Sequence, residues 1–173
     1  YWDGTSVAPT VGDGTEAKPW QITTGAELYY VIANNGGAGV YYQLQNDIYL
    51  NDLSKINWQT GSIQYGYKVN AWKYGNSTAF QGNFDGNGHT VYGVYIHDGT
   101  IGSATGPSYS AGLISTIRGN ATVENLAVDY SFFHHEATAG GRADGGAGPF
   151  LQPGGGCDQY RGGVCGWRAW SPR

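Results

Sequence analysis

Between Asn83 and Ile96 the chain reads NFDGNGHTVYGVYI, with glycines on both sides of Asn87. Glycine enters positive φ without a Cβ penalty, so Asp85-Gly86-Asn87-Gly88 predicts a sharp corner. Phe84 before it, and Val91, Tyr92, Val94 and Ile96 after it, predict strand. A chain that turns after so few residues has no room for long elements and must bury its apolar side chains by stacking short ones. The pattern returns downstream, where Leu113, Ile114 and Ile117 are separated by Gly119-Asn120 from Val123, Leu126 and Val128. Short β units recurring at intervals of about twenty residues suggest stacked repeats.

Upstream the signals change. Thr24 with Glu27 three residues later forms a capping box, and Leu28, Val31 and Ile32 follow at helical spacing until Gly36-Gly37, which predicts one helix over 24–35. Tyr42, Leu44, Ile48 and Leu50 then alternate with polar neighbours, which predicts one strand over 41–50. The opening twenty residues, with Asp3-Gly4 and Asp13-Gly14, read as a looped lead-in.

Composition narrows the function. The 173 residues include 30 glycines, 14 tyrosines and 6 tryptophans, with 13% charged residues, a balance that favours tight turns and aromatic surfaces. The length suits one domain. A net charge of -4 leaves no basic stripe, so nucleic acid is not an expected partner. No apolar run reaches the roughly 18 residues of a spanning helix, so membrane insertion is not expected. Nothing at the amino terminus has the regions of a signal peptide, and the chain reads as mature or excised. No G-x-S-x-G, P-loop or H-E-x-x-H occurs.

The boundary falls near residue 136. Eleven of the last 37 residues are glycine, and Arg142, Arg161, Arg168 and Arg173 are four of the five arginines. Residues 1–136 therefore read as the folded domain and 137–173 as an atypical tail. That tail is either natural and flexible or capping, or, as we favour from its composition, the product of a slipped reading frame. Cys157 and Cys165, with seven residues between them, form one local disulfide or stay as two thiols.

Four groups of residues are candidates for chemistry. Trp58, Tyr65, Tyr67, Trp72 and Tyr74, interspersed with Gln59, Gln64 and Asn70, could stack on the C–H faces of sugars while amides meet the hydroxyls; the alternative is that these rings pack inward. Asp85, Glu124 and Asp129, with Asp47 nearby, could supply the converging carboxylates of a glycosidase. Asp85 could also meet His89 across the corner, although Asp and Asn in such turns more often bond their own backbone. His134, His135 and Glu136, with His97 as a distant third partner, are the metal candidate, made awkward because adjacent strand residues face opposite ways. Acidic turns at Asp3, Asp13 and Asp47 make calcium possible, and no cofactor is required.

In this order, GDGTEAKPW, TGAELYYVIAN, YYQLQNDIYLN, FQGNFDGNGHTVYGVYI, AGLISTI and ATVENLAVDY resemble bacterial surface and secreted proteins with GLUG-type repeats. The resemblance covers residues 1 to about 135. It implies a mostly β fold, a short right-handed parallel β-helix with one N-terminal helix, and an extracellular or cell-surface location. The chain departs from that pattern in its long aromatic insertion and in a tail without further coils. The expected function is noncatalytic polysaccharide binding. The alternatives are a glycoside hydrolase or lyase on the same scaffold, and a structural or adhesive spacer. An open end of such a scaffold must be capped or paired, so a homodimer through that end or the tail is also expected.

Overall fold

The computed structural model describes residues 1–72, 79–97, 112–114 and 116–134, and the backbone of 167–168. Tyr74, His135, Glu136, Cys157 and Cys165 lie outside the described residues, as does the rest of the 137–173 tail.

The chain forms β1 (Trp20–Ile22), α1 (Gly25–Ala33), β2 (Tyr41–Leu44), β3 (Ile48–Tyr49), β4 (Asn83–Asp85), β5 (Thr90–Tyr92), β6 (Tyr95–Ile96), β7 (Thr122–Glu124), β8 (Ala127–Asp129), β9 (Phe132–Phe133) and β10 (Trp167–Arg168). Three sheets result: β1-β2-β4-β7, β10-β8-β5-β3 and β6-β9. Every pairing is parallel except that of β10, which runs antiparallel to β8. The fold is thus one main helix with several parallel sheets of very short strands.

Successive layers repeat one order. β4, β5 and β6 lie beside β7, β8 and β9 respectively, so every strand of one layer pairs with its counterpart in the next. Trp20 pairs with Tyr42, about twenty residues on as the periodicity expects, whereas Tyr41 pairs with Asn83 and Asn83 with Thr122, spacings of about forty residues. The longer spacings come from the segments between layers: β4, β5 and β6 together span only residues 83–96, and of the two apolar patches Leu113, Ile114 and Ile117 precede the strands while Val123 and Val128 lie in β7 and β8.

The strand expected over 41–50 is likewise two strands in two sheets. Its alternation is real, with Leu44, Ile48 and Leu50 buried, but a corner at 45–47 redirects the chain. There the Gln45 N–H donates to Ile22 O, and the Asn46 amide donates to Thr23 O at 3.1 Å and to Asp47 O at 2.8 Å. Side chain-to-backbone bonds of this kind compete with a continuing ladder.

Helix α1 has the expected start: the Thr24 hydroxyl accepts from Glu27 N, and the Glu27 carboxylate accepts from Thr24 N. It buries Leu28, Val31 and Ile32 and ends two residues before the expected limit, with Asn34 as cap and Asn35 in the left-handed region at φ 66°. The core joins those residues to Ile22, Leu44, Ile48, Phe80, Phe84, Val91, Ile96 and Val128, and adds Trp2 and Trp72. Tyr29 of the helix, Trp2 and Trp72 meet with ring centroids 4.9–5.3 Å apart.

The aromatic segment after β3 begins with a short 3-10 turn, Leu53–Lys55. It packs Ile56 and Trp58 against Tyr95 and Phe132 as a second, smaller core. Asn51, fully buried, anchors it. Its amide donates to Asn70 O and Gly93 O, both at 2.9 Å, while its carbonyl accepts from Asn70 N at 2.8 Å and from the Tyr67 hydroxyl at 3.4 Å. Gly93 (φ 78°) allows this approach, since a Cβ there would stand 3.0 Å from Asn51 N.

Asn51→Leu keeps the volume but strands three buried backbone groups. It is expected to lower stability by about 3 kcal/mol, read in urea as a lower midpoint with an unchanged m-value.

Candidate functional site

In the sheet β3-β5-β8 the alternation sends Ile48, Val91 and Val128 inward, one above the other in register. The next position in each strand must then face outward. It holds Tyr49, Tyr92 and Asp129, also in register. The Tyr49 and Tyr92 rings stack, with centroids 4.7 Å apart and planes inclined by 14°.

Tyr130 extends the row, its ring 6.4 Å from that of Tyr92. Its φ of 45° is unusual for a bulky side chain. Two contacts hold the turn: the Tyr130 N–H donates to the Asp129 carboxylate at 2.8 Å, and the Gly93 N–H donates to the carbonyls of Asp129 and Tyr130. Tyr49 and Tyr130 keep 43% and 47% of their surface exposed, so the row is wetted at both ends.

Tyr1 lies near the Tyr49 end. Its phenol pKa is raised by loss of solvent and then by the facing Asp52 carboxylate, with Tyr67 and Tyr49 adding to the effect. The site is a strip of phenol rings and hydroxyls bordered by carboxylates.

A second outward row is polar. Gln43, Asp85 and Glu124 are partners on β2, β4 and β7. Asp85 accepts from Gln43 at 3.0 Å, from the Asn125 amide at 2.9 Å and from the Asn87 N–H at 2.8 Å. Burial pushes its pKa up, but these three donors outweigh that and hold it below the ordinary carboxylate value. Asn87 and Asn125 both sit at positive φ, and a Cβ on Gly86 would stand 2.4 Å from Asn125 O. The corner of one layer is therefore pressed against the corner of the next, with Asp85 bonding between them.

This placement bears on each candidate. Asp85 and Glu124 are neighbours in one sheet, whereas Asp129 lies in another, beside Tyr92. His89 does not turn to Asp85; its Nδ1 lies 3.3 Å from Asp47, whose carboxylate also accepts from the Thr90 N–H at 2.9 Å. Asp3 and Asp13 close separate turns on the hydroxyls and N–H groups of Thr5 and Thr15, bonds that lower both pKa values. Asp47 belongs to neither turn.

The aromatic insertion divides. Trp72 is 1% exposed and donates its indole N–H to Leu113 O, and Trp58, also buried, donates to Leu53 O. Neither offers a ring face to a ligand, because closing this long segment required an apolar anchor at each end. Tyr67 is half-buried, its hydroxyl accepting from Asp52 N, while Tyr65 is fully exposed.

His97 and His134 stack on one another with centroids 4.9 Å apart and planes inclined by 24°, in line with Tyr95 and Phe132. Imidazole binds metals in its ring plane, so two rings stacked face to face do not converge on one ion. Among the described residues no group of three or more His, Cys, Asp or Glu side chains could hold a metal ion. No helix among them is long and apolar enough to cross a membrane.

The tyrosine row escaped the sequence reading because Tyr49 and Tyr92 are 43 residues apart. The available signal was a tyrosine directly after the inward aliphatic in both Asp47-Ile48-Tyr49 and Thr90-Val91-Tyr92.

Because Asp85 is held below its unfolded pKa, its contribution to stability is present above about pH 4 and is lost as pH falls through its lower folded value. Asp85→Asn should cost about 1 kcal/mol at pH 7. The gap to the parent protein should shrink in urea titrations repeated towards pH 2.5, whereas a pH-independent gap would show that the carboxylate charge is not involved.

No protein-family model matches the chain, and no solved structure matches it. Over 129 residues, 73% of its length, it is 28% identical to halomucin of Haloquadratum walsbyi. The chain spans about 1% of that protein's length.

Proposed function

We propose that this chain is a noncatalytic, polysaccharide-binding stretch of a right-handed parallel β-helix that works outside the cell or at its surface. The observation that carries the binding role is the outward row Tyr49, Tyr92 and Tyr130 on a sheet whose inward positions are aliphatic. Sugars combine apolar C–H faces with hydroxyls, and phenols meet both. The row sits on packed strands, so little side-chain freedom is lost on contact. Tyr65, on the loop that follows β3, is also fully exposed.

The β-helix reading is supported by the repeated strand order in parallel register, and by the resemblance to proteins with GLUG-type repeats. The strands β7 and β9 end their sheets, and such edges are where a further layer or a second copy would pair. The catalytic alternative is weakened at Asp85, whose two oxygens already accept three hydrogen bonds within the corner.

Affinity electrophoresis through gels containing soluble glucans and xylans tests the proposal. The parent protein should be retarded, and Tyr49→Ala and Tyr92→Ala should each weaken retention about three- to tenfold. Trp72→Ala should instead lower stability by about 3–5 kcal/mol, seen by thermal or urea unfolding. Unretarded migration in every gel would sink the binding role, and release of reducing ends from any polysaccharide would replace it with catalysis.

A further inference from the structure

The charge beside the tyrosine row suggests which sugars it takes. Asp129 is the register partner of Tyr92 and stands exposed at the β8 end of the row, beside Tyr130. One of its oxygens accepts from the Tyr130 N–H; the His89–Asp47 ion pair does not involve it, and β10 brings Arg168 opposite Ala127, two positions before it on β8. Asp52 faces Tyr1 at the far end, with Lys55 close to it. The chain as a whole carries a net charge of -4. A uronate or sulfated sugar lying along the row would bring its anions against Asp129, while a sugar bearing an ammonium group would find a partner there. Like-charge juxtaposition is penalised at a contact surface, and complementary charge sets partner choice more than raw affinity.

We infer that the row Tyr49-Tyr92-Tyr130 with Asp129 selects glycans that carry free amino groups. The inference rests on the polysaccharide-binding reading above. The tyrosines supply contact area common to all sugars, and the Asp129 carboxylate supplies the discrimination. An exposed pair of this kind contributes modestly, about fivefold in affinity per engaged ammonium at moderate salt.

The test uses the full chain and fluorescence anisotropy at pH 5.5 and fixed ionic strength. The labelled probes are hexamers of β-1,4-linked glucosamine, of its N-acetylated form and of galacturonate. The glucosamine hexamer should bind about fivefold more tightly than the acetylated one, and the galacturonate hexamer most weakly. Asp129→Asn should erase the preference for the amine, and Asp129→Lys should reverse the order of the charged probes. Tyr92→Ala should weaken the glucosamine and acetylated hexamers alike.

Binding of all three probes with similar affinity overturns the inference and leaves the binding role standing. So does an amine preference that survives Asp129→Lys, which would trace it to the net charge of the chain. Failure of every probe to bind overturns the inference, and unretarded migration in every glucan and xylan gel overturns the binding role as well.

Discussion

The buried amide of Asn51 is the contact on which the arrangement of layers depends. It lies at the end of the β3 run, reaches the Asn70 backbone beyond the aromatic loop, and bonds to Gly93 at the corner between β5 and β6. One side chain thereby ties its own segment to two others, at 67–70 and at Gly93. A buried amide with its donors and acceptor engaged rigidifies its surroundings, whereas a half-satisfied one destabilises them. With that corner held, Tyr95 and Ile96 enter β6, and Trp72 can donate its backbone N–H to Tyr95 O. The loop then becomes a wall of the core.

That wall explains why the two sides of the molecule differ in character. Trp2, Trp58 and Trp72 are all consumed in packing, because parallel strands only two to four residues long bury little surface each and the core must draw on large side chains from the loops. The tyrosines of β3 and β5 remain outside, since strand alternation gives their positions no access to the interior. Aromatic content is thus divided between stability and surface by register and not by residue type.

The carboxylates divide in the same way. Asp85 is drawn into a corner-to-corner network with Gln43 and Asn125, where its charge strengthens bonds between layers. Asp129 uses one oxygen locally, at the Tyr130 turn, and stays at the surface beside Tyr92. Two acidic residues that look equivalent along the chain therefore have different roles, one holding the stack together and the other giving the aromatic row its sign of charge.

The local determinants were legible in the sequence. The capping box at Thr24 and Glu27, the corner at Gly86-Asn87-Gly88, and the inward positions of Leu44, Phe84, Val91 and Val128 all follow from rules that act over a few residues. What could not be read was how far apart paired strands lie and which side chains meet across layers. The forty-residue spacings depend on the long segments between β3 and β4 and between β6 and β7, and the pairs Tyr49–Tyr92 and Asp85–Gln43 exist only once that register is set. Trp58 and Trp72 occupy a loop that by composition suits an exposed platform, and they are buried because closing it packs Trp58 on Tyr95 and Phe132 and Trp72 on Trp2 and Tyr29. Sequence determined the units and their turns through local backbone preference; tertiary structure decided which side chains share the outward tyrosine face, because that face is built by contacts between residues some forty positions apart.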